Sequence, residues 1–252
     1  MIQSVDRAIH VLGVLQGARR LSLSEIAARL DLPPSTVHGI IKTLAAHGMV
    51  VQDRESARYR IGPAVLKLAN VYLDTLELRS RSVSWSAELA RRTGFAVRTA
   101  VGNLDEVVVI HHDPRPDGSR QMPEVGIVIP IHASALGKAL LAFLPDQAEE
   151  LARRELRSMT AETITAPQAL RDELDRVRHT ALATEQEEAV LGDCGVAAPI
   201  FDASDQAVGA IGLVVPKEDW PPSDAACAAV RETARAISRE LGAARWPVPP
   251  SH

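Results

Sequence analysis

Aromatic residues are scarce in this chain, at 3% of 252 residues. Any core must therefore be built from Ala, Leu, Val and Ile. Only two cysteines occur, Cys194 and Cys227, 33 positions apart. That spacing excludes a disulfide framework and a zinc module. No apolar h-region follows the first residues, so no signal peptide is read there. The longest apolar runs, such as VGAIGLVV, fall far short of the roughly 20 residues that a membrane-spanning helix needs. No P-loop, G-x-G-x-x-G or internal repeat occurs. The expectation is a cytoplasmic protein without cofactor or metal, long enough for two domains.

An excess of positive charge is also missing overall, since the net charge is −4. The deficit is uneven. Residues 1–62 carry eight Lys/Arg against five Asp/Glu, a balance of +3, and residues 63–252 carry 20 against 27, a balance of −7. Such asymmetry points to a nucleic-acid surface in the first part. A surplus of +3 is modest, which suggests weak binding by one copy and joint action of two or more.

The basic part is organised around Ser22–Gly48, SLSEIAARLDLPPSTVHGIIKTLAAHG. Ser22 and Glu25 have the spacing of a capping box. Ile26, Ala27 and Leu30 give one apolar stripe, and Asp31-Leu32-Pro33 ends it. A second helix opens at Pro33 or Pro34, where a missing N–H costs least. Val37, Ile40, Ile41 and Leu44 form its back, while Ser35, Thr36, His38 and Lys42 face the other way. An ordinary helical hairpin shares this pattern. The next stretch of chain separates the two readings: MVVQDRESARYRIG alternates around Asp53–Ser56 as a β-hairpin, with Arg54 and Arg58 near its tip. Two helices and a basic hairpin make a winged helix-turn-helix, whose second helix reads the major groove. Ser4–Gln16 is an amphipathic helix with Ile9, Leu12 and Leu15 toward the others. Arg7 on its far side either touches a phosphate or is simply solvated.

The winged unit closes near Gly62-Pro63. Ala64–Arg79 reads as one helix with Val65, Leu68, Ala69, Tyr72, Leu73 and Leu76 in a stripe. A second copy of the helix is the economical partner, and packing on the chain's own second domain is the alternative. The domains are thus residues 1–62, a dimerisation linker at 63–79, and 80–246. Arg81–Arg92 is a further helix. Beyond it come a strand pair at Phe95–Gly102 and Val107–His112, a polar loop to Pro123, and a strand at Glu124–Ile131. Ser134 caps a helix that Pro145 ends. Helices follow at Asp146–Arg157 and Pro167–Thr180. Strands follow at Ala181–Gln186, Gly195–Phe201 and Val208–Val215, and a last helix at Ser223–Ala244. The class is α+β.

Three stretches carry a family likeness: SVDRAIHVLGVL with SLSEIAARLDLPPSTVHGIIKTL, EVGIVIPIHASALGKALLAFLP, and GVAAPIFDASDQAVGAIGLVVP. In this order and spacing the chain resembles the IclR family of bacterial transcriptional regulators. VHGIIKTL, NVYLDTLELRSRSVSW, VVIHHDPRPDGSRQMPEVG and AISRELGA resemble the glycerol-operon regulators of actinobacteria within it. The resemblance implies a winged helix, a dimerising linker helix and a GAF-like effector domain, assembled as a homodimer and then a tetramer on palindromic operator DNA. It implies repression of a catabolic operon relieved by a small molecule; activation by a different small organic acid is the alternative.

The resemblance also places the effector in a cup on the second domain's sheet. By position the walls are Ile129, Ser134, Ala135, Leu136, Glu185, Gly195, Gly212 and Val214. Relatives that bind small keto acids tend to have Cys or Ser at the last three, so Gly, Gly and Val imply a wider, less polar cup. Cys194 sits one residue off the family's cysteine, on the strand's other face. Arg98 interrupts an apolar strand, and a guanidinium there either grips a phosphate or carboxylate or points to solvent. His111 and His112 face opposite sides, so at most one reaches the cup. With glycerol 3-phosphate or another small anion as effector, Arg98, His111 and Arg120 are the expected cations. His132 reads as a structural capping residue. Glu185, Glu187 and Glu188 read as a solvated charge run. The rival class is an enzyme with Cys194 as nucleophile and His132 or His112 as base. Asp193 beside Cys194 would raise its pKa and argues against it.

Overall fold

The computed structural model describes residues 2–18, 20–119 and 121–247. The chain divides into two compact units, Met1–Thr75 and Leu76–His252. The first holds α1 (Gln3–Gln16), α2 (Leu23–Leu30), α3 (Pro34–Ala46), β1 (Val50–Gln52), β2 (Tyr59–Ile61) and α4 (Ala64–Thr75).

Local chemistry sets these bounds. The capping box is complete: the Glu25 N–H donates to Ser22 Oγ at 3.3 Å, and the Ser22 N–H donates to the Glu25 carboxylate at 2.7 Å. Asp31 closes α2 in the left-handed region at φ 50°, a conformation that Asp tolerates better than most residues. Pro34 opens α3, where its missing N–H is unneeded. The three helices and the hairpin bury Val11, Leu15, Ile26, Val37, Ile41 and Val50 together, each contributing about 1.5–3 kcal/mol. Ile9, expected inside, is 63% exposed. Val11 and Leu15, four residues apart, carry the buried face of α1 instead.

The helix expected over Ala64–Arg79 is broken. α4 stops at Thr75, Leu76 is extended, and α5 (Glu77–Thr93) begins afresh. Thr75 Oγ1 donates to the Tyr72 carbonyl at 2.8 Å, one of the local bonds by which a hydroxyl competes with helix continuation. No residue of α4 is buried, and Leu66, Leu68, Val71 and Tyr72 are exposed.

The second unit continues with β3 (Ala96–Asn103), β4 (Glu106–Asp113), β5 (Val128–Pro130), α6 (Ala135–Leu141), α7 (Pro145–Ala152), α8 (Pro167–Thr180), β6 (Ala183–Gln186), β7 (Asp193–Phe201), β8 (Ala207–Pro216) and α9 (Asp224–Glu240). The sheet order is β5-β4-β3-β8-β7-β6, and every pairing is antiparallel. The fold is α+β, as the pattern predicts. Several boundaries differ: α5 starts four residues before the expected Arg81, and the helix expected over Asp146–Arg157 stops at Ala152. The strand expected at Glu124–Ile131 shrinks to β5, because Gly126 turns the chain at φ 89°. Pro145 starts α7 rather than ending α6, which stops at Leu141.

Strand alternation sorts the sheet into two faces. α5 and α9 pack on one, and α6 packs on the other. The α6 face carries Ala183, Ala197, Ala100 and Ala210, which join Leu136, Ala139 and Leu140 in one core. Small residues let the helix lie close on the strands. Gly137 meets the turn that leads into α6 just as closely: a Cβ there would stand 2.0 Å from the Ile131 carbonyl oxygen. Gly137→Ala is therefore expected to cost this unit about 2–3 kcal/mol by overpacking. Urea unfolding followed by tryptophan fluorescence checks it, since Trp85, Trp220 and Trp246 are the chain's three tryptophans. Among the described residues, no helix is long and apolar enough to cross a membrane, and no group of three His, Cys, Asp or Glu is placed to hold a metal ion.

Candidate functional site

Each unit presents a candidate site. In the first, α3 buries Val37 and Ile41 and exposes Ser35, His38 and Lys42, with Thr36 half-buried between. No acidic side chain interrupts α3. Arg7 is half-buried on α1, and Arg54 is exposed at the hairpin tip. Asp53 shapes that tip by accepting from the N–H groups of Glu55 and Ser56 and from Ser56 Oγ at 2.8–3.2 Å.

Arg58 is placed differently from expectation. Its guanidinium donates to both Glu25 oxygens, at 3.0 and 3.3 Å, and to the Arg20 carbonyl. Ser22 and then Arg58 hold the Glu25 carboxyl below the usual range. Arg58 thus straps the hairpin to the start of α2 instead of standing ready for a phosphate. Arg60, on the same side of β2 by alternation, is exposed and has no ion-pair partner among the described residues. The sequence already held this signal in the Arg-Tyr-Arg spacing.

In the second unit, Arg98, Ile129, Ser134, Ala135, Leu136, Glu185, Gly195, Gly212 and Val214 border one cavity between the sheet and the start of α6. The sequence positions converge there because Arg98 pairs with Gly212, Gly195 with both Glu185 and Val214, and all share the α6 face. Ser134 opens α6, its Oγ accepting from the Gly137 N–H at 3.0 Å. Cys194 borders the cavity as well.

His111 is not among the lining residues; it bonds Asp113 at 2.9 Å. His112 is the residue opposite Arg98 on β4, and so shares its face. Burial pushes the His112 imidazole below its ordinary pKa. Arg120 lies outside the described residues. His132 is buried, with Nε2 3.0 Å from the Arg157 carbonyl.

The cup is neither wide nor apolar. Its free volume is about 10 Å³, room for roughly one water. The space that Gly195 leaves is taken by Glu185, whose Cγ would be 3.2 Å from a Cβ there. At Gly212 a Cβ would meet the Val196 carbonyl at 2.5 Å, so that glycine serves strand packing and not cup width. A larger groove of about 570 Å³ crosses Phe143, Pro145 and Arg178. It is open surface, and its cations Arg171 and Arg178 are already paired with Glu149 and Asp175.

Charge is concentrated at the cup. Arg98 Nε and Nη2 donate to the two oxygens of Glu124, the second at 2.9 Å, and Asp193 lies 3.9 Å from Nη2. Burial opposes the Arg98 charge, but Glu124 outweighs it and raises the pKa. Burial likewise opposes ionisation of Glu124, and Arg98 reverses the balance. Glu185 accepts from the Ala135 N–H at 2.7 Å, yet burial pushes its carboxyl up to about 7.

The acidic run is not solvated either, because Glu185, Glu187 and Glu188 are all buried. Glu188 pairs with the buried Lys138 at 2.6 Å, and Glu187 with Lys217 and the Gly192 N–H. The Cys194 thiol is buried and its pKa raised by desolvation, the opposite of what a nucleophile needs.

Comparison with known proteins agrees with this division. Residues 4–54 match the IclR helix-turn-helix domain, and residues 70–239 match the bacterial transcriptional regulator IclR C-terminal family. The chain is 41% identical over 250 residues to the glycerol operon regulatory protein of Streptomyces griseus, covering 97% of this chain and 98% of that protein. It is 32% identical over 247 residues to the transcriptional repressor AllR of Klebsiella pneumoniae, covering 95% and 90%. Among solved structures, an IclR transcriptional regulator from Alicyclobacillus acidocaldarius superposes with a TM-score of 0.81 at 25% identity, over 96% of this chain and all of that one. A helix-turn-helix for DNA followed by a domain for a small-molecule effector, matched in order along the chain, makes this protein a member of the IclR family of bacterial transcriptional regulators and not an enzyme.

Proposed function

We propose that the protein represses an operon for glycerol or a similar small polyol, and that a small anion, glycerol 3-phosphate foremost, relieves repression from the cup. The observation that carries this is Arg98. It is a guanidinium on the inner face of the sheet, in a chain 41% identical to a glycerol operon regulatory protein. Guanidinium forks match phosphate and carboxylate oxygens in pairs. The repressing sign follows the Klebsiella relative's name.

Ser35, Thr36 and His38 read bases, while Arg7, Lys42 and Arg54 hold phosphates. One copy binds DNA weakly, so the exposed Leu66, Leu68, Val71 and Tyr72 of α4 pair with a second copy. Such dimers meet palindromic half-sites, and two of them form a tetramer. The effector favours one arrangement of the second domains, which changes the spacing of the paired winged units and so their fit to DNA.

A gel shift with the DNA upstream of the protein's own gene tests this. A specific complex at moderate salt, released by glycerol 3-phosphate, is expected. A complex indifferent to that anion overturns the effector assignment. Thr36→Ala should alter sequence preference, whereas Arg54→Ala should weaken all sequences alike and reduce the salt slope by about one. Binding isotherms across salt and operator variants separate the two, and a uniform loss from Thr36→Ala would contradict the division.

A further inference from the structure

The cation on which that reading rests is already engaged. Arg98 has a side chain only 12% exposed, and its Nε and Nη2 donate to one carboxylate, Glu124. This is the two-bond fork by which arginine holds a planar carboxylate or a phosphate. Glu124 comes from the chain between β4 and β5, outside any strand or helix. Its side chain is 22% exposed, and its other close partner among the described residues is His112 at 3.5 Å. Asp193 and Glu185 add two more carboxylates near Arg98. With room for about one water beside it, the cup has neither the space nor the charge for a second anion while Glu124 stays.

We propose that Glu124 is an internal stand-in for the effector's anionic group, and that a phosphate- or carboxylate-bearing effector binds by displacing it from Arg98. Glu124 is the carboxylate that can leave. Asp193 stands 3.9 Å from Nη2 and takes no part in the fork, and Glu185 is held by the Ala135 N–H. Glu124 reaches Arg98 from outside the residues that line the cup, and from its partly exposed position its side chain can rotate to water, where its charge is solvated. The exchange replaces one bidentate pair by another and so confers selectivity: a neutral polyol offers no charge with which to compete, and only an anion can take the fork. The displaced carboxylate also sets a threshold. It lowers the affinity of every anion, which keeps the cup closed to common ones at low concentration. This inference rests on the cup being the effector site.

Calorimetric titration of the full-length protein tests it, with glycerol 3-phosphate as probe and glycerol as the neutral control. Glu124→Gln, which removes the charge and keeps the size, should tighten glycerol 3-phosphate about tenfold or more. Arg98→Ala should lose binding, and the double variant should show no gain from Glu124→Gln. Glu124→Asp cannot span the fork as well and should also bind the probe more tightly, which carries the test should the glutamine variant fail to fold. If wild type binds the probe and Glu124→Gln binds it no better, the displacement is overturned while the effector site stands. Equal tightening toward glycerol also overturns it. If neither wild type nor either Glu124 variant binds the probe, the anion reading of the cup falls with it.

Discussion

Replacing Lys138 by methionine should destabilise the effector domain by about 3–5 kcal/mol, the usual cost of breaking a buried ion pair from one side. Lys138 is 1% exposed. Its ammonium lies 2.6 Å from Glu188 and 3.5 Å from Glu173. Glu173 keeps Arg176 as a partner when the lysine is gone. Glu188 keeps no ion-pair partner among the described residues, and its other oxygen is buried and without a hydrogen bond there. Methionine fills the space, so the loss is electrostatic and not a cavity. Lys138→Met with Glu188→Gln removes the charge with its partner and should recover most of the loss. Denaturant unfolding of the four proteins of this cycle, followed by tryptophan fluorescence, measures the coupling.

The pH dependence has a definite sign. Burial raises the Glu188 carboxyl above its usual range, Lys138 opposes this and Glu173 adds to it. Without the lysine the carboxyl rises further, so the native variant takes up a proton at a higher pH than wild type does. The methionine variant's deficit should therefore be largest at alkaline pH and shrink as pH falls. A deficit below about 1 kcal/mol at pH 8 would show that this cluster is hydrated in solution.

The HTH unit was largely legible because its signals are local. A capping box, a proline at a helix start and alternation around Asp53–Ser56 each act within a few residues. The break at Leu76 was not legible. No glycine or proline marks it, and the hydroxyl of Thr75 is an ordinary side chain until it bonds the Tyr72 carbonyl. Ile9 against Val11 shows the same limit at finer scale, since two apolar stripes fit the α1 sequence and only packing chooses between them.

At the cup, position alone brought Ser134, Glu185, Gly195 and Gly212 together, because strand register carries such correspondences faithfully. The chemistry was less legible. Arg98 was expected to wait for an anion, and its carboxylate arrives from Glu124, 26 residues away, in a segment whose pattern reads as strand. Glu185–Glu188 looked solvated because charge runs usually are. Their partners Lys138 and Lys217 are distant in sequence. His112 rather than His111 shares the Arg98 face because the β3–β4 register sets it opposite, with a bulge at Thr99/Ala100 just beyond.

Glu185→Gln should stabilise the effector domain at alkaline pH and make little difference in acid. The native carboxyl is pushed up to about 7 from 4.5, chiefly by burial, with the Ala135 N–H and Lys138 opposing. Below pH 4.5 the group is neutral in both folded and unfolded chains and contributes nothing. Between 4.5 and 7 the unfolded chain ionises while the folded one keeps its proton, so each rise in pH favours unfolding. Above 7 both are ionised, and the accumulated penalty is about 3 kcal/mol. Glutamine never ionises and its amide oxygen can still accept from Ala135, so the stability difference between variant and wild type isolates this one group. That difference should grow by about 3 kcal/mol in favour of the variant from pH 4.5 to 7.5. Tryptophan-detected unfolding at several pH values reads it, and a flat difference would place Glu185 in contact with water. The same proton bears on the cup. While Glu185 is neutral, Arg98 faces one carboxylate fewer, so binding of an anion there should weaken as pH rises through about 7 in wild type, and should lose that dependence in Glu185→Gln.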